Sequence, residues 1–157
     1  MKTFVYASAL VLPLSLLPNC KKDSESMTLA EAKQALDESQ VSSQAMNLTS
    51  SSVDISTHFT IGDAVEAAAD ELRTFIQSQL PCADIQVAKG ELDVTYGAKE
   101  GNCTYRGHTY SGNHHMTVVR NDEGDVQVDH AWTALSNGTV EVSGSATVTW
   151  NFAEGER

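Results

Sequence analysis

The chain has 157 residues and a formal net charge of -11, with 21 acidic side chains against 10 basic ones. This excess of negative charge argues against nucleic acid as a partner, because binding to phosphates needs clustered Lys and Arg. Three cysteines are too few for a small fold held together by many disulfides, and 41% hydrophobic residues are enough for one modest core. We therefore expect a single folded domain.

The N-terminal segment has the features of an export signal. Lys2 provides a basic start, and residues 4–17 are uncharged and mostly apolar. As a helix this run would reach only ~21 Å, which is too short to cross a bilayer. The pattern predicts a signal peptide over residues 1–19 and an exported protein.

The end of this segment, Leu17–Cys20, resembles the lipobox of bacterial lipoproteins, in which a cysteine three residues after a leucine is acylated and becomes the new N-terminus. Asn19 stands where these proteins usually carry Gly, Ala or Ser, and the alternative is an ordinary signal with an incidental cysteine. The resemblance implies lipidation of Cys20 and a lipid anchor in a membrane of the cell envelope. Lys21 follows the cysteine instead of the Asp associated with inner-membrane retention, which favours the outer membrane.

The other two cysteines, Cys82 and Cys103, form an even pair in a protein that we expect to be exported. A disulfide between them would close a loop of about 20 residues and contribute ~3 kcal/mol in the chain-entropy model. The alternatives are two buried free thiols or a redox pair, although the spacing is far from Cys-x-x-Cys. We predict the disulfide.

Residues 20–57 are predicted to form a lipidated tether and a loosely held helix. Thr28 and Glu31 have the spacing of a capping box, and the thin apolar stripe after them predicts a helix over about 29–45. The serines at 50–52 indicate a break after it.

A stronger helix is predicted over about residues 61–80. Thr60 is the expected N-cap and Pro81 the expected end, since proline has no N–H to donate. Its apolar residues recur at three-and-four spacing, so the helix needs a partner for one face. These residues are Ile61, Val65, Ala68, Leu72, Phe75, Ile76 and Leu80.

The remainder of the chain alternates apolar and polar residues, which predicts strands. The segments are 85–87, 92–96, 103–110, 115–120, 126–135 and 139–152. One apolar and one polar face indicate an antiparallel sheet that is covered on one side. We expect Leu72 and Phe75 of the helix to contact that side at Val128, Trp132, Val142 and Val148.

The turn sequences predict the strand register. Lys89-Gly90 as a two-residue turn pairs Val87 with Leu92 and Ile85 with Val94. A three-residue loop at 122–124 pairs Val118 with Val128 and Met116 with His130.

The same loop type at 136–138 pairs Leu135 with Thr139. This loop also sets Trp132 opposite Val142 and His130 opposite Gly144.

Two alternative turns are possible near Gly112. A turn at Ser111-Gly112 would place His108 opposite His115, whereas a turn at Gly112-Asn113 would place Tyr110 there.

These elements predict an α+β fold with N-terminal helices and one long amphipathic helix packed on a five- to six-stranded antiparallel β-meander. The predicted boundaries are 1–19 for the signal peptide, 20–57 for the tether and loose helix, 58–153 for the domain and 154–157 for a tail.

Several segments together resemble a group of uncharacterised exported bacterial lipoproteins. They are residues 55–62 (ISTHFTIG), 78–82 (SQLPC), 103–107 (CTYRG), 130–132 (HAW) and 144–150 (GSATVTW). The resemblance implies an exported, lipidated domain and no particular activity.

The five histidines are the residues most suggestive of chemistry. Adjacent His114 and His115 point to opposite faces of a strand and should not share a metal. His130 falls on the apolar face, where we expect a core imidazole whose nitrogens find backbone or water partners. His130, Tyr105 and Trp132 are the residues that could line a ligand pocket.

No catalytic, phosphate-binding, calcium or zinc motif occurs in the sequence. We therefore expect no catalytic residue, no cofactor and no metal. The predicted function is a noncatalytic cell-envelope lipoprotein that binds an unknown protein or small ligand. The alternative is a small exported hydrolase or metalloenzyme that uses His with Asp or Glu.

Overall fold

The computed structural model describes residues 27–59 and 65–150. The predicted signal peptide, Cys20, the predicted cap Thr60 and the tail lie outside these residues. The described elements are α1 (Leu29–Ile55), α2 (Val65–Gln79), β1 (Asp84–Ala88), β2 (Glu91–Tyr96), β3 (Thr104–Tyr105), β4 (His108–Thr109), β5 (Ser111–Arg120), β6 (Val126–Ser136) and β7 (Glu141–Trp150).

The predicted fold class is confirmed. The strands form a five-stranded antiparallel sheet in the order β1-β2-β5-β6-β7, and β3 and β4 form a separate two-stranded hairpin between β2 and β5. Both helices lie on the same side of the large sheet, because their buried residues and the inward-facing strand residues belong to one hydrophobic core.

Helix α1 is longer than predicted. It begins at the capping box, where the Thr28 side chain accepts from the Glu31 backbone N–H and the Glu31 carboxylate accepts from the Thr28 backbone N–H. The predicted break at residues 50–52 is wrong, since the helix continues to Ile55. Serine is tolerated there because its hydroxyl bonds within the helix, as Ser52 does to the Thr49 carbonyl at 2.8 Å. Only the second half of α1 is buried, at Leu48, Ser52 and Ile55.

Helix α2 ends at Gln79, just before Pro81, as predicted. It buries Ala68, Ala69, Leu72 and Ile76. The predicted docking site was wrong in part: α2 packs mainly on β1, β2 and β5, and the helix that packs on β7 is α1. The two helices thus divide the sheet between them, and each covers only part of it.

The predicted registers of two hairpins are confirmed. Val87 pairs with Leu92 and Ile85 with Val94 across the Lys89-Gly90 turn, while Val118 pairs with Val128 and Met116 with His130 across the second hairpin. In that second turn the Asn121 N–H donates to the Asp125 carbonyl at 3.0 Å, and Gly124 has a φ of 86°. These turn residues therefore fix which side chains face the core.

The register predicted for β6 and β7 is wrong. Ser136 pairs with Glu141, Trp132 with Gly144 and His130 with Ala146. A bulge between Trp132 and Leu135, with Ala134 at a φ of 51°, adds one residue to β6. At the loop end the shift is three positions, since Leu135 pairs with Val142 instead of Thr139, and the extra residue of the bulge reduces the shift of Trp132 to two. A shift of two keeps the same face.

The predicted strand over 103–110 is also corrected. Arg106 and Gly107, at φ values of 47° and 84°, turn the chain into the β3–β4 hairpin. Neither predicted turn at Gly112 forms, because Gly112 lies within β5 and His115 pairs with Asp93 and Ala131. A Cβ at Gly112 would lie 2.0 Å from the Ala134 carbonyl oxygen, which explains why glycine is needed beside the bulge.

Cys82 and Cys103 form the predicted disulfide, with their Cα atoms 5.3 Å apart. The bond joins the segment after α2 to the residue before β3, so it fastens the small hairpin to the main domain. Within the described residues, no helix has both the length and the apolarity needed to cross a membrane.

Candidate functional site

Three aromatic rings meet on the covered face of the sheet. His114 and His130 are 1% and 2% exposed, and Trp132 is 6% exposed. The ring centroids of His114 lie 5.2 Å from His130 and 5.6 Å from Trp132, and His130 stacks on Trp132 at 5.8 Å. The strands explain this grouping, since His114 is the cross-strand partner of Trp132 and His130 precedes Trp132 by two residues on β6.

A chain of hydrogen bonds links two of these rings to a tyrosine. The Tyr96 hydroxyl lies 3.4 Å from His114 Nδ1, and His114 Nε2 lies 3.0 Å from His130 Nδ1. We name Tyr96, His114 and His130 the Tyr–His–His relay. All three side chains are buried, so the relay lies inside the core.

The relay has a preferred direction. If the Tyr96 hydroxyl donates to His114 Nδ1, then His114 Nε2–H donates to His130 Nδ1, and the proton of His130 is on Nε2. The opposite direction would leave the Tyr96 hydroxyl proton without an acceptor in the relay. Each direction leaves one buried donor unpaired, which is the His130 Nε2–H in the first and the Tyr96 hydroxyl in the second. The second direction also leaves the lone pair of His130 Nε2 without a donor, so the first direction is favoured. His130 Nε2 is therefore an N–H donor.

Burial keeps the relay uncharged. It lowers the pKa of His130 to about 4. It also lowers the pKa of His114 well below its ordinary value, and the neighbouring His130 and His115 lower that pKa further. Burial also raises the pKa of Tyr96 above its ordinary value. At neutral pH both imidazoles are neutral and the tyrosine keeps its proton.

Two buried nitrogens at this cluster have no hydrogen-bond partner among the described residues. They are His130 Nε2 and Trp132 Nε1. Buried polar groups are normally paired, so two unpaired nitrogens on neighbouring side chains of one strand face are unusual. We had expected the nitrogens of His130 to be satisfied, and only Nδ1 is.

Trp132 also borders an open groove of about 580 Å³ between α1 and the β7 edge of the sheet. We name this the α1–β7 groove. It exists because the helices leave inward-facing Gly144 and Ala146 of β7 exposed. The groove is lined by Thr49, Ser50, Val53, Asp54 and Thr57 from α1 and by Trp132, Ser145, Ala146 and Val148 from the sheet. Its volume is within the range of small-molecule sites.

The uncovered face of the sheet carries a second arrangement. Asp93 Oδ1 lies 2.7 Å from His115 Nδ1, and His115 Nε2 lies 3.2 Å from the Thr117 hydroxyl. This acid–imidazole–hydroxyl order is the one that nucleophilic hydrolases use. The side chains of Asp93 and His115 are 68% and 41% exposed.

Two features oppose catalysis at this second arrangement. Asp129 is the cross-strand partner of Thr117, which places a carboxylate near the position where an oxyanion would develop. Thr117 also lies in the middle of β5, with paired strands on both sides. Backbone N–H groups there belong to the sheet ladders and are not free to form an oxyanion hole.

The structure brings together two of the three predicted pocket residues. His130 and Trp132 are in contact, whereas Tyr105 is on the β3–β4 hairpin, with its ring 6.3 Å from that of Phe75. In residues 27–59 and 65–150, no cluster of three or more His, Cys, Asp or Glu could hold a metal ion.

Sequence reasoning missed Tyr96 and His114 as neighbours of His130. The signal was present, because Tyr96 continues the apolar alternation of Leu92 and Val94. His114 likewise continues the alternation of Met116 and Val118, but the strand was predicted to begin at His115, four residues after its actual start at Ser111. No protein-family model, curated protein or solved structure matches this chain.

Proposed function

We propose that the protein is a noncatalytic binding module of the cell envelope that takes a small ligand in the α1–β7 groove. The observation that carries this proposal is Trp132, which borders the groove and has an unpartnered indole N–H. A buried donor without a partner lowers stability unless a bound molecule supplies the acceptor. The loss of stability caused by the unpartnered indole N–H is explained if Trp132 serves to bind a ligand.

The export pattern of residues 1–19 and the lipobox-like Leu17–Cys20 support the location part of the proposal. In this arrangement acyl chains on Cys20 anchor the protein, with the outer membrane favoured by Lys21. Intact mass of the protein from native membranes measures cleavage and acylation together. Cys20→Ala should release the protein from membranes or leave it unprocessed, and unchanged fractionation and mass would contradict lipidation.

Ligand binding in the groove can be tested by blocking it. Ala146→Trp places a large ring in the groove from the inward face of β7, and Thr147→Trp places the same ring on the opposite face of the same strand. Small molecules that shift the backbone amide resonances of Ala146 and Val148 should lose binding to the first variant and keep it with the second. Equal binding to both variants would reject the groove as the site.

A hydrolase is the second candidate, favoured only by the order of Asp93, His115 and Thr117. Hydrolysis of p-nitrophenyl acetate by the protein tests it. Activity that Thr117→Val abolishes and Thr95→Val retains would support an enzyme. Equal activity in both variants would mean that Asp93, His115 and Thr117 form cross-strand contacts and not a catalytic site.

A further inference from the structure

The sheet ends at β7, whose outer edge is unpaired. In the strand order β1-β2-β5-β6-β7 this strand stands last, and among the described residues it pairs only with β6. Backbone N–H and C=O groups alternate between the two sides of a strand, so every second residue of β7 directs these groups away from β6. Such a row of unpaired donors and acceptors is a template for another strand.

Strand β7 lacks the features that usually keep edge strands apart. It has ten residues, contains no proline or lysine, and has its only charge, Glu141, at one end. The bulge of its hairpin lies in β6, so β7 itself is regular. The opposite edge differs, because β1 has five residues and begins with Asp84, which pairs with Lys99 at 2.6 Å. The edge that can accept a strand is therefore β7.

The sequence of β7 is complementary to itself. Two antiparallel copies keep their inward faces on the same side of a joined sheet only if residues of the same face stand opposite each other. A two-fold axis at Ser145 satisfies this condition. On the inward face it pairs Val142 of one copy with Val148 of the other, and Gly144 with Ala146. Two apolar pairs therefore meet without a large side chain at the centre.

On the outward face the same axis pairs hydroxyl side chains. Ser143 stands opposite Thr147, and cross-strand hydroxyl pairs of this kind stabilise a sheet. The Asp129 carboxylate beside Thr147 is already bound within its own chain, since it accepts from the Thr147 hydroxyl at 2.6 Å and from the Gln127 amide at 2.9 Å.

Charge favours a second copy at this edge over any other part of the surface. The chain carries a net charge of -11, so two copies repel each other at most approaches. Residues 142–150 carry no charge, and the axis sets Glu141 opposite Thr149 and not opposite another carboxylate. The β7 edges can therefore meet without opposed charges.

We propose that β7 pairs antiparallel with β7 of a second copy of this chain, about a two-fold axis at Ser145, so that the two sheets become one. Contacts that use the same patch on both subunits are the commonest in soluble oligomers. The assembly stops at two copies, because the edges that remain are the short, charged β1 strands. This pairing uses the backbone edge of β7 and goes beyond the proposed binding of a small ligand.

Disulfide cross-linking in native membranes tests the pairing. Ser145→Cys places two thiols opposite each other across the axis, with Cα atoms roughly 4.5–5.5 Å apart, a distance that a disulfide can span. Thr147→Cys is the matched control on the same exposed face. Its two copies lie four residues apart along the strands, about 14 Å, which is too far for a disulfide.

Mild oxidation should convert Ser145→Cys into a covalent dimer on a non-reducing gel and leave Thr147→Cys monomeric. The parent protein, treated alike, measures any cross-linking through Cys20. Sedimentation of the parent protein in detergent should give the mass of two copies. Ser145→Lys should reduce it to the mass of one, because two ammonium groups would then stand opposite each other.

Equal cross-linking of the two cysteine variants, or faster cross-linking of Thr147→Cys, would overturn the pairing. A parent protein with the mass of one copy would overturn the dimer. A dimer that Ser145→Cys does not cross-link and Ser145→Lys does not separate would place the interface elsewhere and also overturn the proposal. None of these results depends on whether small molecules bind in the α1–β7 groove.

Discussion

Acid should destabilise this protein through His130, and the size of the effect follows from its burial. Folding lowers the pKa of His130 to about 4 from its ordinary value of 6.5. The unfolded chain therefore binds the proton first as the pH falls. The contribution of neutral His130 to stability is complete above about pH 6.5 and is lost progressively as the pH falls toward 4.

The difference of 6.5 - 4 = 2.5 pKa units corresponds to ~3 kcal/mol at ~1.4 kcal/mol per unit. Between about pH 7.5 and about pH 4.5, most of this, roughly 2.5 kcal/mol, should be lost. His114 acts in the same direction, because burial also lowers its pKa. The loss is a large share of a typical stability of ~5–15 kcal/mol.

The assay is urea unfolding followed by tryptophan fluorescence at a series of pH values. His130→Gln removes the titrating group, so its stability should decline less on acidification, by roughly 2.5 kcal/mol over the same interval. If His130→Gln shows the same acid dependence as the parent, the argument from burial is refuted.

Three other predictions concern the fold. Leu72→Ala removes a fully buried side chain and should cost ~2–5 kcal/mol, whereas Thr147→Ala on the exposed face should lower the thermal midpoint little; equal shifts would mean that α2 does not dock on the sheet. Gly112→Ala should destabilise more than Gly138→Ala in urea unfolding, because both have positive φ but only a Cβ at Gly112 meets the Ala134 carbonyl; the reverse order would contradict the described bulge. Reduction of the Cys82–Cys103 bond should lower stability by ~3 kcal/mol, and Ellman titration of the unfolded, unreduced protein should find neither thiol free.

The features predicted most reliably from the sequence were the strand registers that turn residues determine. Gly90 and Gly124 follow residues that suit tight hairpins, so the registers of β1–β2 and β5–β6 could be deduced in advance. The β6–β7 register could not, because the bulge places Ala134, a residue with no preference for positive φ, in the left-handed region. The strand faces were still correct, since the bulge and the longer loop together shift the pairing of Trp132 by two residues.

The extent of α1 and the ring cluster depended on tertiary contacts. Serines at 50–52 disfavour a helix locally, but burial of Ser52 and Ile55 against the domain overrides that preference. His130 was correctly expected in the core. Its hydrogen bond to His114 depends on two strands that meet 16 residues apart in sequence, and no local pattern specifies that contact.

The uneven burial of α1 has a consequence for how the protein comes apart. The helix has 27 residues, yet Leu29 and Leu36 are 88% and 71% exposed, and its buried residues begin at Leu48. A helical segment of this size is marginal in water without packing, so its N-terminal half should open with little free-energy cost. Amide protons before about residue 44 should exchange with deuterium long before those of β5 and β6. A protease should trim this half first and leave a smaller, still folded product that retains the disulfide.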